Sequence, residues 1–277
     1  MQQIINSLSV GAVYALVTVG YAMVFSVLRM INFAHTDMMM LGAYAGLVTA
    51  QLGGNSLLQF LVAVAVGAGI SALVERFIYR RMYGAPPIKL MTSAIGVSVV
   101  LQYLVMLIFT AQPRAYPADE FSNSLILFGT KTTELRLFGI VLSAVLFSAL
   151  ALLVSKTKTG LFMRATAQDR IGAMAVGIDR NRIISLTFTI GGAVAAVAGV
   201  IFGKLYLITP LMSANIGIKA FVCTVVGGDS LSGAVLGALL LSFSETAVSA
   251  FLGSGYKDAV SFVVLIVALL LGKRGAK

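Results

Sequence analysis

Residues 156–200 read KTKTGLFMRATAQDRIGAMAVGIDRNRIISLTFTIGGAVAAVAGV. The stretch has two parts of opposite character. As far as Arg182 it carries Lys156, Lys158, Arg164, Arg170, Arg180 and Arg182 against only Asp169 and Asp179. From residue 183 to residue 203 no charge interrupts the chain. An apolar run of about 20 residues is what a helix needs to cross a bilayer. A strongly basic loop feeding directly into such a run is the sign of a cytoplasmic loop entering a transmembrane helix.

The rest of the chain has the same character. Of its 277 residues, 59% are hydrophobic and 11% charged, against roughly 45–50% and 25% in ordinary soluble domains. The mean hydropathy is +0.98. A soluble protein of this size needs far more surface charge, so the composition excludes a soluble enzyme, a disordered chain and a disulfide scaffold. The single cysteine, Cys223, permits no intrachain disulfide, and the single histidine, His35, rules out a cage of several histidines. The apolar segments are too long and continuous for an outer-membrane barrel, whose strands alternate and span in about 10 residues. The expected fold is therefore all-α, a polytopic helical membrane bundle occupying residues 1–277 as a single domain.

Uncharged runs cover 6–28, 57–74, 90–109, 137–154 and 183–203. Segment 38–52 and segment 230–252, the latter with Glu245 inside it, are nearly as good. Two shorter apolar segments, 216–228 and 259–271, are thin spans, re-entrant elements or broken helices. The count is eight or nine transmembrane helices. Basic residues set the orientation: Arg29; Arg76, Arg80, Arg81 and Lys89; the six in 156–182; and Lys273, Arg274 and Lys277 make 14 of the 20, and all fit one cytoplasmic side. The 110–136 loop balances Asp119, Glu120 and Glu134 against Arg114, Lys131 and Arg136, as an outer loop does. The first 28 residues hold no Lys or Arg, so the first run reads as a retained span rather than a cleaved signal peptide. The N-terminus is expected outside and the C-terminus in the cytoplasm. The net charge of +10 is then largely the positive-inside signal and implies no nucleic-acid partner.

Small residues recur at four-residue spacing, Gly192 to Ala196, Ala195 to Gly199 to Gly203, and Gly233 to Gly237, which lets helices approach closely in lipid. Intramembrane charge is sparse. Glu245 is the deepest acid, satisfied by Ser242, Ser244 or a neighbouring helix, and Glu75 is expected to pair with Arg76 or Arg80. A proton pump or coupled antiporter strings several such groups across the membrane, and too few are present here. No nucleotide-binding P-loop, nucleophile elbow or zinc motif occurs, so any energy source is another polypeptide. No catalytic residue, cofactor or metal is expected.

Segment 161–175 mixes Leu161, Ala165, Ala167, Ile171 and Met174 with Arg164, Gln168, Asp169 and Arg170, which suits a helix lying at a surface. Gly177 stops it, and Asp179 can cap the helix that follows. Together with other motifs, these residues resemble the membrane subunit of bacterial ABC importers for branched-chain amino acids, the leucine/isoleucine/valine type. The motifs are Gly11-Ala12-Val13-Tyr14-Ala15-Leu16 with Gly20-Tyr21; Met30-Ile31-Asn32-Phe33-Ala34-His35; Gly42-Ala43-Tyr44; Glu75-Arg76; Ser93-Ala94-Ile95-Gly96; Arg164-Ala165 with Asp169, Ala173, Gly177-Ile178 and Arg182; Gly227-Gly228 with Gly233-Ala234; and Tyr256-Lys257-Asp258.

The resemblance covers nearly the whole chain. It implies an ABC importer permease fold in which the loop at 156–182 docks on a cytosolic ATPase, with Arg164, Ala165, Ala167, Asp169, Ala173 and Gly177 as coupling residues. It further implies a second permease subunit, two cytosolic ATP-binding subunits, a soluble periplasmic binding protein and an amino acid substrate, in the bacterial inner membrane. The residues proposed to line the translocation path are Asn32, His35, Tyr44 and Glu245. Membrane subunits for urea or short amides are similar, and competition between leucine and urea separates the two readings. A stand-alone channel or secondary carrier is a different class, and a scaffold membrane protein a third.

Overall fold

The computed structural model describes residues 2–28, 30–117, 124–127, 130–228 and 230–272. Arg29, Asp119, Glu120 and the tail residues Lys273, Arg274 and Lys277, all used above to orient the chain, lie outside them. Every expected span is a helix: α1 (Gln2–Leu28), α2 (His35–Gln51), α3 (Ser56–Phe77), α4 (Pro87–Phe109), α5 (Glu134–Lys156), then α6 (Lys158–Gln168) and α7 (Arg170–Ala175), followed by α8 (Arg180–Leu205), α9 (Met212–Gly227), α10 (Leu231–Leu252) and α11 (Lys257–Gly272). Six of these, α1, α3 with the 3₁₀ turn Tyr79–Met82, α4, α5, α8 and α10, are long and apolar enough to cross a membrane. Helices α2, α9 and α11, of 17, 16 and 16 residues, reach roughly 24–26 Å at 1.5 Å per residue, short of the hydrocarbon core of about 30 Å.

Helix starts follow local capping. Asn55 accepts from the Leu58 amide, Asp179 from Asn181 and Arg182, and Ser230 from Gly233, each satisfying a first-turn donor that has no intrahelical partner. Segment 161–175 departs from the single surface helix expected. Asp169 takes extended backbone (φ −145°, ψ 109°) and accepts from the Ile171 amide, ending α6 and starting α7. The 110–136 loop carries a short hairpin in which Ser124–Leu127 (β1) pairs antiparallel with Thr130–Thr133 (β2), and the fold class is all-α as expected.

Helices α1 and α8 form the buried centre, and α4, α5, α10 and α11 each expose one side. Small residues bring the backbones together. A Cβ added at Gly199 would strike the Met39 carbonyl, and one at Gly42 the Ala196 backbone, so α2 and α8 touch main chain to main chain. Elsewhere Ser71 Oγ donates to the Phe188 carbonyl (2.8 Å) and Ser242 Oγ to that of Ser7 (2.5 Å). In lipid, where apolar surface gives no drive between helices, such close packing and interhelical hydrogen bonds hold the bundle together.

The contacts define two ends. One gathers the last turns of α1 and α5, the 3₁₀ turn after α3, all of α6 and α7, and the first turns of α8 and α10. The other joins segment 110–117 to 206–211 through the Arg114–Ile208 backbone pair (both hydrogen bonds 2.9 Å), Lys204 to Ser56 (3.0 Å), and Arg136 to Asn6.

Candidate functional site

Helices α6 and α7 form a short angled unit pressed on the first of these ends. Thr157 caps α6 by accepting from the Gly160 amide (3.1 Å). Gly160 sits so close beneath α5 that a Cβ there would meet the carbonyls of Leu153 and Val154. Arg164 Nη1 donates to the Val154 carbonyl at 2.6 Å and to that of Ser155 at 3.1 Å. Arg170 Nη2 donates to the Val27 carbonyl of α1 at 3.1 Å. Met163, Thr166 and Ala173 are buried against the bundle. The unit ends at Gly177, whose φ of +85° favours glycine; its amide bonds to the Met174 carbonyl, and that of Ile178 to Ala173.

The opposite face is open and apolar. Ile171 and Val176 are each 77% exposed, Leu161 52% and Met174 47%. The residues expected to contact an ATPase are therefore distributed unevenly. Arg164, Asp169 and Gly177 are exposed, Ala165 and Ala167 half-buried and Ala173 buried; the Arg164 side chain lies along the end of α5 and Asp169 caps α7. Ile171, Met174, Leu161 and Val176 supply the exposed apolar face beside them. Residue type marks a candidate, but the break at Asp169 sets which way it points. Beside the unit, between α1, α5, α6 and α8, lies a cavity of about 460 Å³ whose lining includes Met23, Val27, Phe147, Met163, Arg164 and Thr187.

Glu75, at the end of α3, takes Arg80 rather than Arg76. Both carboxylate oxygens accept from the guanidinium (3.1 and 3.0 Å), and Oε1 also accepts from Tyr83 Oη at 2.7 Å. Burial, reinforced by that hydrogen bond, pushes the Tyr83 phenol well up. Arg180 of α8 stacks over the Tyr83 ring at 5.1 Å, so α3 and the start of α8 share one polar anchor.

The four translocation-path candidates fall in three separate places. Asn32 Oδ1 accepts from Tyr79 Oη at 2.8 Å. His35, 1% exposed, meets the Tyr21 ring edge-on at 6.1 Å. The His35 ring is wedged between Gly20 and Gly191, where an added Cβ would come within 2.7 and 3.1 Å of it. Gly20 is eight residues before the end of α1 and Gly191 eleven residues into α8, roughly 12 and 16 Å along their axes. Helix α2 therefore begins inside the bundle, and residues 30–34 are non-helical backbone enclosed by protein, the condition under which such backbone is tolerated at membrane depth. Tyr44 lies nine residues further along α2, roughly 13 Å away, against the Phe109 ring at 4.8 Å.

Glu245 occupies the third place, held by neighbouring helices and not by Ser242. Its Oε1 accepts from Lys219 Nζ (2.9 Å) and Ser261 Oγ (2.8 Å), and its Oε2 from Tyr14 Oη (3.1 Å). Lys219 also reaches Tyr14 Oη (3.1 Å) and Asp258 (3.3 Å). The cluster ties α1, α9, α10 and α11 together. The partners of Glu245 lie on other helices, so its position in the sequence alone could not identify them. Removing one member of a buried ion pair leaves a charge uncompensated, at about 3–5 kcal/mol. Lys219→Met is expected to lower thermal stability in detergent sharply, and Lys219→Met combined with Glu245→Gln to recover most of it, since the Gln amide can accept from Ser261 through its oxygen and donate to the Tyr14 hydroxyl oxygen through its nitrogen. Equal melting losses in the single and double variants would show that the pair is not coupled.

The sequence profile of the family described as branched-chain amino acid transport system permease component matches residues 3–269. Among curated proteins, the chain is similar to the high-affinity branched-chain amino acid transport system permease protein BraD of Pseudomonas aeruginosa, 36% identical over 99% of this chain and 94% of that one. It is also similar to the permease protein LivH of Salmonella typhimurium, 35% identical over 99% and 94%. Among solved structures, a metal-chelate type ABC transporter in an inward-facing conformation superposes with a TM-score of 0.57 at 20% identity, covering 97% of this chain and 84% of that one. PsaBC from Streptococcus pneumoniae gives 0.56 at 15% identity, with 95% and 89% covered. At such identities the likeness is one of fold alone.

Proposed function

The chain belongs to the family of branched-chain amino acid transport permease components, and from that membership we propose that it is one half of an ATP-driven import pore in a bacterial inner membrane. Hydrolysis takes place on two separate cytosolic subunits, a second permease chain completes the pore, and a soluble periplasmic protein delivers the amino acid. The end bearing α6 and α7 faces the cytoplasm. Its basic residues support this orientation, which puts the N-terminus outside and the C-terminus inside.

The observation that carries the reading is the open apolar face of Leu161, Ile171, Met174 and Val176 on a unit fastened to the ends of α1 and α5. A water-facing apolar patch rimmed by polar residues marks a protein contact, and a separate ATPase can move the spans only through a stiff element touching both. Asn32 and His35, at the buried start of α2, with Tyr44 and Glu245, are proposed to border the path as it opens alternately to each face. The chain carries no chemical step.

Purifying the tagged chain from native membranes in mild detergent, with mass spectrometry of its companions, tests this reading. An ATPase and a permease in comparable amounts are the expected result. A chain that purifies alone, with uptake driven by an ion gradient, would contradict it.

A further inference from the structure

We infer that Arg164 and Arg170 are positioning residues that link motion of the α6–α7 unit to the ends of α5 and α1. The inference rests on the coupling role proposed above and names the route by which force enters the bundle.

The last four carbonyls of a helix have no intrahelical partner and form the negative end of its dipole, where a cation is favoured. In α5 (Glu134–Lys156), the Leu153 carbonyl accepts from the Thr157 amide (3.3 Å) and Oγ1 (2.6 Å), while the carbonyls of Val154 and Ser155 accept from Arg164. In α1 (Gln2–Leu28), the Val27 carbonyl accepts from Arg170. Each arginine comes from a different short helix and grips a different long one. Gly160 leaves no gap between α6 and the end of α5. The unit is also joined covalently, through Thr157 to α5 and through residues 176–179 to α8.

A load on the exposed Ile171 and Val176 therefore reaches α5 through Arg164 as well as Thr157, α1 through Arg170 and α8 through the chain. Without the arginines the hydrogen bonds to the Val154, Ser155 and Val27 carbonyls are lost; the covalent connections and the packing of Met163, Thr166 and Ala173 remain, and the unit draws the C-terminal ends of α5 and α1 with it less tightly. Charge-assisted hydrogen bonds are the stronger kind, which suits a joint that must hold while its partner moves.

The test measures ATP hydrolysis and leucine uptake together in vesicles containing the assembled complex, for the native chain, Arg164→Ala/Arg170→Ala and Arg164→Lys/Arg170→Lys. The alanine pair is expected to keep the ATPase subunits bound and hydrolysing, while uptake per ATP falls about ten-fold, the order of change that mutation along a coupling route produces. The lysine pair, which keeps charge and most of the reach, is expected to restore most of it. Unchanged uptake per ATP in the alanine pair would overturn the inference. So would loss of the ATPase subunits from the alanine pair, because the arginines would then be shaping the docking surface. A native chain that never retains ATPase subunits would instead overturn the coupling role itself.

Discussion

Replacing Ile171 and Val176 together by aspartate is expected to abolish ATP-driven uptake while leaving the chain inserted and monodisperse. Both side chains are 77% exposed and neither supports the bundle, so the change leaves internal packing intact. The effect falls on the docked state, where each aspartate would have to lose its hydration against an apolar partner surface without a compensating cation. Truncating a central interface residue commonly costs about 2 kcal/mol or more, and a buried unpaired charge costs more than truncation. Two such losses weaken ATPase binding by about a thousand-fold or more, since each 1.4 kcal/mol is a factor of ten. The check is ATPase retention during purification, with membrane insertion scored on the same sample. Normal retention would remove the apolar face from the account.

Gly199→Val is expected to have the other large effect, on folding. The added Cβ would occupy the position of the Met39 carbonyl, and the obstruction is main chain on both sides, so no side chain can swing away. Overpacking a core typically costs about 1–3 kcal/mol. Here α2 and α8 would have to separate, which also disturbs the contact of Gly42 with Ala196 and the seat of His35 between Gly20 and Gly191. Size-exclusion profiles of detergent extracts should show aggregated or absent protein. Gly96→Ala, where an added Cβ meets nothing within 4 Å, is the matched control and should behave as the native chain. A monodisperse Gly199→Val protein would mean that the helices are not held at backbone contact.

These two expectations draw on different levels of legibility. The spans were readable because lipid offers no partner for a charge or a free backbone group, so each uncharged run became a helix with ends displaced by only a few residues. The cap at Asp179 and the stop at Gly177 were readable because both act within a few residues of chain. The small residues of α8 were readable as packing positions, though not which neighbour each would meet. Other features depend on distant parts of the chain. The start of α2 inside the bundle is set by Gly20 and Gly191, from helices far apart in sequence. The partners of Glu245, namely Lys219, Tyr14 and Ser261, come from three other helices, and Asp258 joins them through Lys219. In the α6–α7 unit the residue types pointed to a surface helix. The break at Asp169 turns Ala173 inward and Ile171 outward, and no periodicity computed through the break could reveal that.

On the proposed function, this chain transports only when an ATPase drives it through the α6–α7 unit. The measurement that tests it most directly is leucine uptake into proteoliposomes containing the chain with its copurified partners, with and without ATP, beside proteoliposomes containing the chain alone. Accumulation against a gradient is expected in the first case with ATP and none in the other two. Concentrative uptake by the chain alone, driven by a proton or sodium gradient, would contradict it.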